Sequence, residues 1–183
     1  MNMRDEQAFR RALVEYGKRL AEDGLIEGTW GNLSVRLDEE TMLITPSGLG
    51  YERLRDEDIC KVRLKDGSWT GTHKPSSERR LHAGIYLARE DVWAVVHTHA
   101  AGCVTFAACG KDLRVGEETF VCAAYGVSGS GRLAKNCVKA LGRARGCLLA
   151  HHGVVCVGGS LEEAYEWSLR AEKMAGEWLD GAI

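Results

Sequence analysis

Four of the chain's six histidines stand at the ends of two apolar runs. His97-Thr98-His99 follows Val92-Trp93-Ala94-Val95-Val96, and His151-His152-Gly153 follows Cys147-Leu148-Leu149-Ala150. Such runs read as buried strands. Side chains alternate along a strand, so His97 and His99 project from the same face. Two imidazoles on one face, plus one from a neighbouring strand end, make a three-nitrogen metal site. Its fourth position stays open for water or substrate, as a catalytic zinc needs.

Glu78 lies in Lys74-Pro75-Ser76-Ser77-Glu78, at the start of an expected helix. The helix dipole favours its charged form there. Near a zinc it would ligate the metal or act as a base; the plain alternative is a capping-box acid. Three small-polar clusters sit at expected turns: Ser76-Ser77, Ser47-Gly48 after Thr45-Pro46, and Gly31-Asn32 after Thr29. Backbone amides and hydroxyls gathered in this way suit a phosphate, although turns favour the same residues. Gly129-Ser130-Gly131 reads as a turn before a helix. His73 is expected in an exposed loop. His82, one helical turn after Glu78, shares its face and is expected to support or pack rather than to ligate. The tryptophans read as core or interface anchors, except Trp30, which neighbours Asn32.

These residues need a scaffold, and the hydrophobic pattern supplies one. Ala8, Ala12, Leu13, Tyr16 and Leu20 recur at helical spacing up to Gly24. Leu33, Val35 and Leu37 alternate with polar residues, as in a half-buried strand, and Met42-Leu43-Ile44 returns after Asp38-Glu39-Glu40 as a hairpin partner. Ile59, Val62 and Leu64 suggest a further strand. Helices are expected over Ser77–Ala88, Ala100–Cys109 and Leu133–Leu141, and a strand over Phe120–Tyr125. Ser160 and Glu163 open a final amphipathic helix through Trp167, Ala171, Met174 and Trp178. Strands and helices interleave while several strands join by tight turns, which predicts a mixed sheet with helices on its faces.

At 183 residues the chain is expected to be one domain, residues 1–183. Its 45% hydrophobic and 27% charged residues fit a soluble globular protein. A net charge of −2 with scattered Lys and Arg argues against a nucleic-acid partner. No apolar run is long enough to span a bilayer. Seven cysteines in apolar contexts, without a Cys-x-x-Cys pair, read as reduced core thiols of a cytoplasmic protein. Other folds that place His-x-His at a strand end fit less well. Amidohydrolase barrels are much longer, metallo-β-lactamase-like hydrolases follow the pair with Asp where Ala100-Ala101 stands, and cupins are all-β.

Taken together, five ordered segments resemble the class II aldolase and adducin head-domain family: Gly28-Thr29-Trp30-Gly31-Asn32-Leu33-Ser34, Ile44-Thr45-Pro46-Ser47-Gly48, Lys74-Pro75-Ser76-Ser77-Glu78, Val96-His97-Thr98-His99 and His151-His152-Gly153. The resemblance implies a three-layer α/β/α domain with a mostly antiparallel central sheet. It implies one Zn2+ per subunit held by His97, His99 and His152, with His151 a neighbour. Glu78 would be the catalytic acid/base, and Asn32, Ser47, Gly48, Ser76 and Ser77, with Thr29 beside them, would hold a substrate phosphate.

The implied activity is cleavage of a ketose 1-phosphate, such as L-fuculose 1-phosphate, to dihydroxyacetone phosphate and a short aldehyde such as lactaldehyde. A cytoplasmic homotetramer with sites between subunits is implied as well. Decarboxylases of sugar-acid phosphates and a methylthioribulose-phosphate dehydratase share the family's zinc and are not separated by Glu78. Epimerases usually carry Asp at that position. Adducin heads keep the fold without the metal ligands. A purely structural zinc would need a fourth protein ligand that no Cys obviously supplies. Two departures from the longer aldolases concern the proton donor to the aldehyde oxygen. The Gly110–Ala124 stretch is shorter, so that Tyr125 does not match the family tyrosine convincingly. The chain also stops soon after Trp178. The donor is therefore expected to be water or a neighbouring subunit.

Overall fold

The computed structural model describes residues 6–181. Helix α1 (Glu6–Glu22) buries Leu13, Val14, Gly17 and Leu20 along one stripe. Gly24, at φ +73°, lets the chain reverse where Leu25 N–H returns to the Leu20 carbonyl. The strands that follow are β1 (Asn32–Arg36), β2 (Thr41–Ile44), β3 (Cys60–Arg63), β4 (Trp69–Thr70), β5 (Ala94–Thr98), β6 (Leu113–Val115), β7 (Glu118–Phe120), β8 (Cys122–Ala123), β9 (Gly146–Leu149) and β10 (Gly153–Gly158). Between them lie α2 (Arg79–Ala88), α3 (Ala101–Ala108) and α4 (Gly131–Leu141), and α5 (Leu161–Gly181) closes the described chain.

Eight strands form one sheet in the order β4-β3-β2-β1-β5-β10-β9-β8. Every pairing is antiparallel except β8 with β9. Both faces are covered, giving the three-layer α/β/α arrangement. On one face Val95, Val155, Val157, Ile44 and Val62 pack with Leu81 and Ile85 of α2 and Leu133 and Cys137 of α4. On the other, Leu33, Val35, Ala94 and Val96 meet Leu13 and Leu20 of α1 and Tyr165 of α5. Cys103 and Phe106 of α3 pack there too, with Val154, Cys156 and Ala171. Each Leu or Ile fully buried in these layers contributes about 1.5–3 kcal/mol over an exposed one.

Alternation along β5 fixes the chemistry. Val95 faces α2 and α4, whereas Ala94 and Val96 face α1 and α5. His97, two residues after Val95, therefore lies on the α2 side.

The structure departs from the sequence reading in several places. β1 is not half-solvated: all five residues are buried, and the polar set Asn32, Ser34 and Arg36 faces α2, where His82, Tyr86 and backbone carbonyls pair with it, while Arg36 Nε has no hydrogen-bond partner among the described residues. The strand expected over Phe120–Tyr125 is broken. Phe120 pairs with Leu113 in a separate hairpin turned at Gly116, and only Cys122–Ala123 joins the large sheet. α2 starts at Arg79 rather than Ser77. Of the tryptophans expected as core or interface anchors, none is fully buried: Trp69 and Trp178 are exposed, as is Trp30, while Trp93 and Trp167 are half-buried, Trp167 packing against the core between α3 and α5. Five cysteines are buried free thiols, but Cys109 is exposed. The turn expected at Gly129-Ser130-Gly131 does precede α4, and Ser130 also caps that helix by accepting from Leu133 N–H at 3.1 Å; as expected, Ser160 accepts from Glu163 N–H at the start of α5.

Candidate active site

Three strand ends meet above the α2 face. His97 closes β5 and His99 follows it, while His152 sits in the turn between β9 and β10. The turn is tight enough to hold His151 at φ +57°, which costs a non-glycine residue roughly 1–3 kcal/mol. The exposed His151 ring leans on Tyr125, and His152 turns inward.

The three Nε2 atoms converge. His97 Nε2 lies 2.8 Å from His99 Nε2 and 3.3 Å from His152 Nε2, and all three lie within 4.8 Å of one another. Nitrogens each about 2.0–2.1 Å from one tetrahedral cation would stand about 3.4 Å apart, so the spacing fits a shared metal. His97 Nδ1 is 2.8 Å from the Val154 carbonyl. That oxygen only accepts, so Nδ1 carries a proton, and in the neutral ring Nε2 is left with the lone pair that a cation would take. Among the described residues, this is the group of three or more potential metal-binding side chains that the structure assembles.

Glu78 is the residue immediately before α2, and its side chain makes no capping bond to the helix. It reaches the histidines instead, with Oε2 2.9 Å from His97 Nε2 and Oε1 3.4 Å from His152 Nε2. Asn32 Nδ2 donates to Oε2 at 3.3 Å and Ser128 Oγ to Oε1 at 2.9 Å. Burial alone would raise the Glu78 carboxyl, but His97, then His152 and Ser128, outweigh it and hold the group well below the usual carboxylate range. Burial, then His97, pushes His152 down to about 4. Burial, followed by His97 and His152, pushes His99 down to about 3. For His97 burial acts downward, but the facing Glu78 carboxylate prevails and raises it.

The small-polar clusters close round this centre. Two loops are laced together: Ser47 N–H donates to the Lys74 carbonyl at 2.9 Å and Ser76 N–H to the Thr45 carbonyl at 3.1 Å, around a Pro46–Pro75 bridge. This sets Ser47 and Gly48 beside Ser76 and Ser77. Gly31, at φ +109°, runs so close to β5 that a Cβ would lie 2.8 Å from the His97 carbonyl oxygen; only glycine fits.

The result is a cleft of about 160 Å³ lined by Thr29, Trp30, Asn32, Ser47, Gly48, Ser76, Ser77, Glu78, Ser128, His99 and His152. His97 is fully buried at its base. All ten residues singled out in the sequence thus come together. Asn32, assigned above to phosphate, also has its amide engaged by Glu78 and His82. Ser128 was missed. It lies in the run Gly126-Val127-Ser128-Gly129-Ser130-Gly131, whose glycines read as a turn and mask the serine. Gly129 brings it in: at φ +73° a Cβ there would sit 2.9 Å from the Ser77 carbonyl oxygen. Trp30, 63% exposed, stands at the mouth with its ring 6.2 Å from His99.

The family model of the class II aldolase and adducin N-terminal domain matches residues 11–179. The chain belongs to this family. The 5-methylthioribulose-1-phosphate/5-deoxyribulose-1-phosphate aldolase of Rhodospirillum rubrum is 36% identical over 186 residues, covering 93% of this chain and 80% of its own length. The L-fuculose phosphate aldolase of Escherichia coli K12 is 33% identical over 187 residues, covering 96% and 84%. A solved structure of L-fuculose 1-phosphate aldolase superposes with a TM-score of 0.91 at 30% identity, over 96% of this chain and 86% of that one. No helix among the described residues is long and apolar enough to cross a membrane.

Proposed function

We propose that this class II aldolase family member cleaves a ketose 1-phosphate to dihydroxyacetone phosphate and a short aldehyde. The substrate class is the 5-deoxypentulose 1-phosphates and L-fuculose 1-phosphate. The observation that carries this reading is the Glu78 carboxylate set against three convergent imidazole nitrogens, in a cleft whose other wall is serine, threonine and glycine.

His97, His99 and His152 would hold the cation, for which we propose zinc. Three neutral ligands leave it its full double charge, which supplies Lewis-acid polarisation of the ketose carbonyl and hydroxyl oxygens. Ser47, Gly48, Ser76 and Ser77, with Thr29 and Asn32, would bind the phosphate beside the N-terminus of α2, where the dipole favours an anion. Phosphate bound there anchors the reacting carbons over Glu78, so that remote binding energy orients the cleaved bond. The buried carboxylate, held by donors on both oxygens, would move a proton to and from the dihydroxyacetone phosphate carbon that carried the broken bond. Supporting a homotetramer with sites between subunits, Trp30, Tyr125 and Val127 lie exposed on or beside the segments that line the cleft.

The test is a zinc-reconstituted assay with 5-deoxyribulose 1-phosphate, 5-methylthioribulose 1-phosphate and L-fuculose 1-phosphate, coupled to detection of dihydroxyacetone phosphate. Product formation that falls about 10²–10⁴-fold in Glu78→Gln with metal retained supports the reading. A metal-loaded wild type that releases no dihydroxyacetone phosphate from any of them overturns it in favour of a decarboxylase or dehydratase.

A further inference from the structure

Behind Glu78, on the side away from the cleft, a line of buried polar groups runs between β1 and α2. Asn32 Oδ1 is 2.5 Å from His82 Nε2, His82 Nδ1 is 2.7 Å from Ser34 Oγ, and Ser34 Oγ is 2.8 Å from Tyr86 Oη. His82 and Ser34 are fully buried, Tyr86 is 1% exposed and Asn32 6%. Such groups are retained in a core when their hydrogen bonds are satisfied. In this line they are satisfied in one direction only.

The direction follows from Glu78. An ionised carboxylate only accepts, so the Asn32 amide must turn its nitrogen to Glu78 and its oxygen to His82. That oxygen needs a proton from Nε2. His82 is pushed down to about 3, by burial first and then by His97, so it is neutral and carries a single ring proton. Nδ1 is then a bare acceptor and accepts a hydrogen bond from the Ser34 hydroxyl. Ser34 Oγ in turn accepts from the Tyr86 hydroxyl. The opposite tautomer would set the lone pair of Nε2 against the Asn32 oxygen, two acceptors face to face in a dry core.

We propose that His82, fixed by Ser34 as its Nε2–H tautomer, is a positioning residue for Glu78, acting by locking the amide of Asn32. The lock aims one Asn32 N–H at Glu78 Oε2. It leaves the second N–H of that amide, on a residue that lines the cleft, to the substrate. Helical spacing alone puts His82 in a supporting place on the face of Glu78; the structure supplies a definite polarity from Tyr86 to the carboxylate. The inference rests on the proposed cleavage reaction for its kinetic arm and on no activity at all for its spectroscopic arm.

The kinetic arm uses zinc-loaded protein. In His82→Asn the donor to Asn32 is lost, and kcat falls about tenfold or more while KM stays within about twofold and metal content is unchanged. His82→Gln carries an amide N–H near the position of Nε2 and recovers most of the lost kcat. Ser34→Ala, which frees the tautomer, gives an intermediate loss. Equal kcat in wild type and His82→Asn overturns the proposal, as does a fall in His82→Gln equal to that in His82→Asn. The spectroscopic arm is a long-range proton–nitrogen NMR spectrum of the wild type without substrate. A pyridine-like Nδ1 and pyrrole-like Nε2 for His82 support the chain; the reverse pattern overturns it. Should the wild type cleave none of the ketose phosphates, the reaction falls, and the tautomer still decides the positioning chain.

Discussion

Asn32 on β1 and His97 on β5 are register partners, directly opposite one another across the ladder. Opposed residues place their Cβ atoms about 4.5–5.5 Å apart on one face. That face is the one α2 covers, and Glu78, just before α2, touches both side chains. The sheet register therefore sets the geometry of the site. A slip of one residue would turn Asn32 to the α1 face and separate it from both His97 and Glu78.

Chelation follows from the same centre. A cation bound by three strand ends binds the folded chain and not the unfolded one, stabilising it by about 4 kcal/mol at a thousandfold excess over Kd. Differential scanning fluorimetry should show Tm falling by several degrees when the zinc-loaded protein is treated with EDTA, and no such shift in His97→Ala. An equal EDTA shift in His97→Ala would place the metal elsewhere.

Gly31→Ala should both destabilise and disable. The residue sits at φ +109°, and a Cβ would press on the His97 carbonyl oxygen at 2.8 Å and on Ile26 Cδ1 at 2.9 Å. Strain of this kind costs about 1–3 kcal/mol. Relieving it means moving the strand that carries His97. Urea unfolding should show the loss, and zinc affinity should weaken in parallel. A variant with wild-type stability and wild-type zinc affinity would contradict the close approach.

Much of this site is legible in the sequence, because His97, His99, His152 and Glu78 flank or lie at the ends of elements with strong hydrophobic patterning. The α1 and α5 helices and the central strands were legible for the same reason. What escaped had physical causes. Asn32, Ser34 and Arg36 alternate with apolar residues as on a solvated strand face, yet that face is buried, and the polar partners that permit it, His82 and Tyr86, lie some fifty residues away. The β6–β7 hairpin was hidden because its strands are three residues each, too short for a period to show. Ser128 stands in a glycine-rich run whose turn propensity masked its contact with Glu78.

Acid should destabilise the protein through His82. Its folded-state value, pushed down to about 3 by burial and then His97, lies below the 6.5 of an ordinary histidine. Between those values the unfolded chain holds the extra proton and the folded chain does not. Stability from this group is thus fully present above pH 6.5 and lost as pH falls towards 3. Each pH unit crossed costs up to about 1.4 kcal/mol. Urea unfolding of metal-free protein at pH 7, 6, 5 and 4 should show this decline, with a slope shallower by up to one proton in His82→Gln. Parallel slopes would mean that His82 is protonated in the folded state.

Ser128→Ala isolates the support of Glu78 from the cleft side. The hydroxyl donates to Oε1 at 2.9 Å, and among the described residues no other hydrogen bond of that side chain competes with it. The substitution removes one oxygen and leaves the Gly129 approach to Ser77 intact, so folding should be little affected. The lost donor had two effects: it fixed the rotation of the carboxylate, and it favoured the charged form. Both matter to a group proposed to carry a proton during the reaction, and not to the phosphate contacts proposed for Ser47, Gly48, Ser76 and Ser77. The expected outcome is therefore a kcat lowered by about tenfold with KM within about twofold and zinc content unchanged. A rise in KM at constant kcat would instead make Ser128 a substrate-binding residue. Combining Ser128→Ala with His82→Asn removes support from both carboxylate oxygens. The two donors hold a single rigid group, so the double variant should lose less than the product of the single losses. Full multiplicativity would show that the two oxygens are positioned independently.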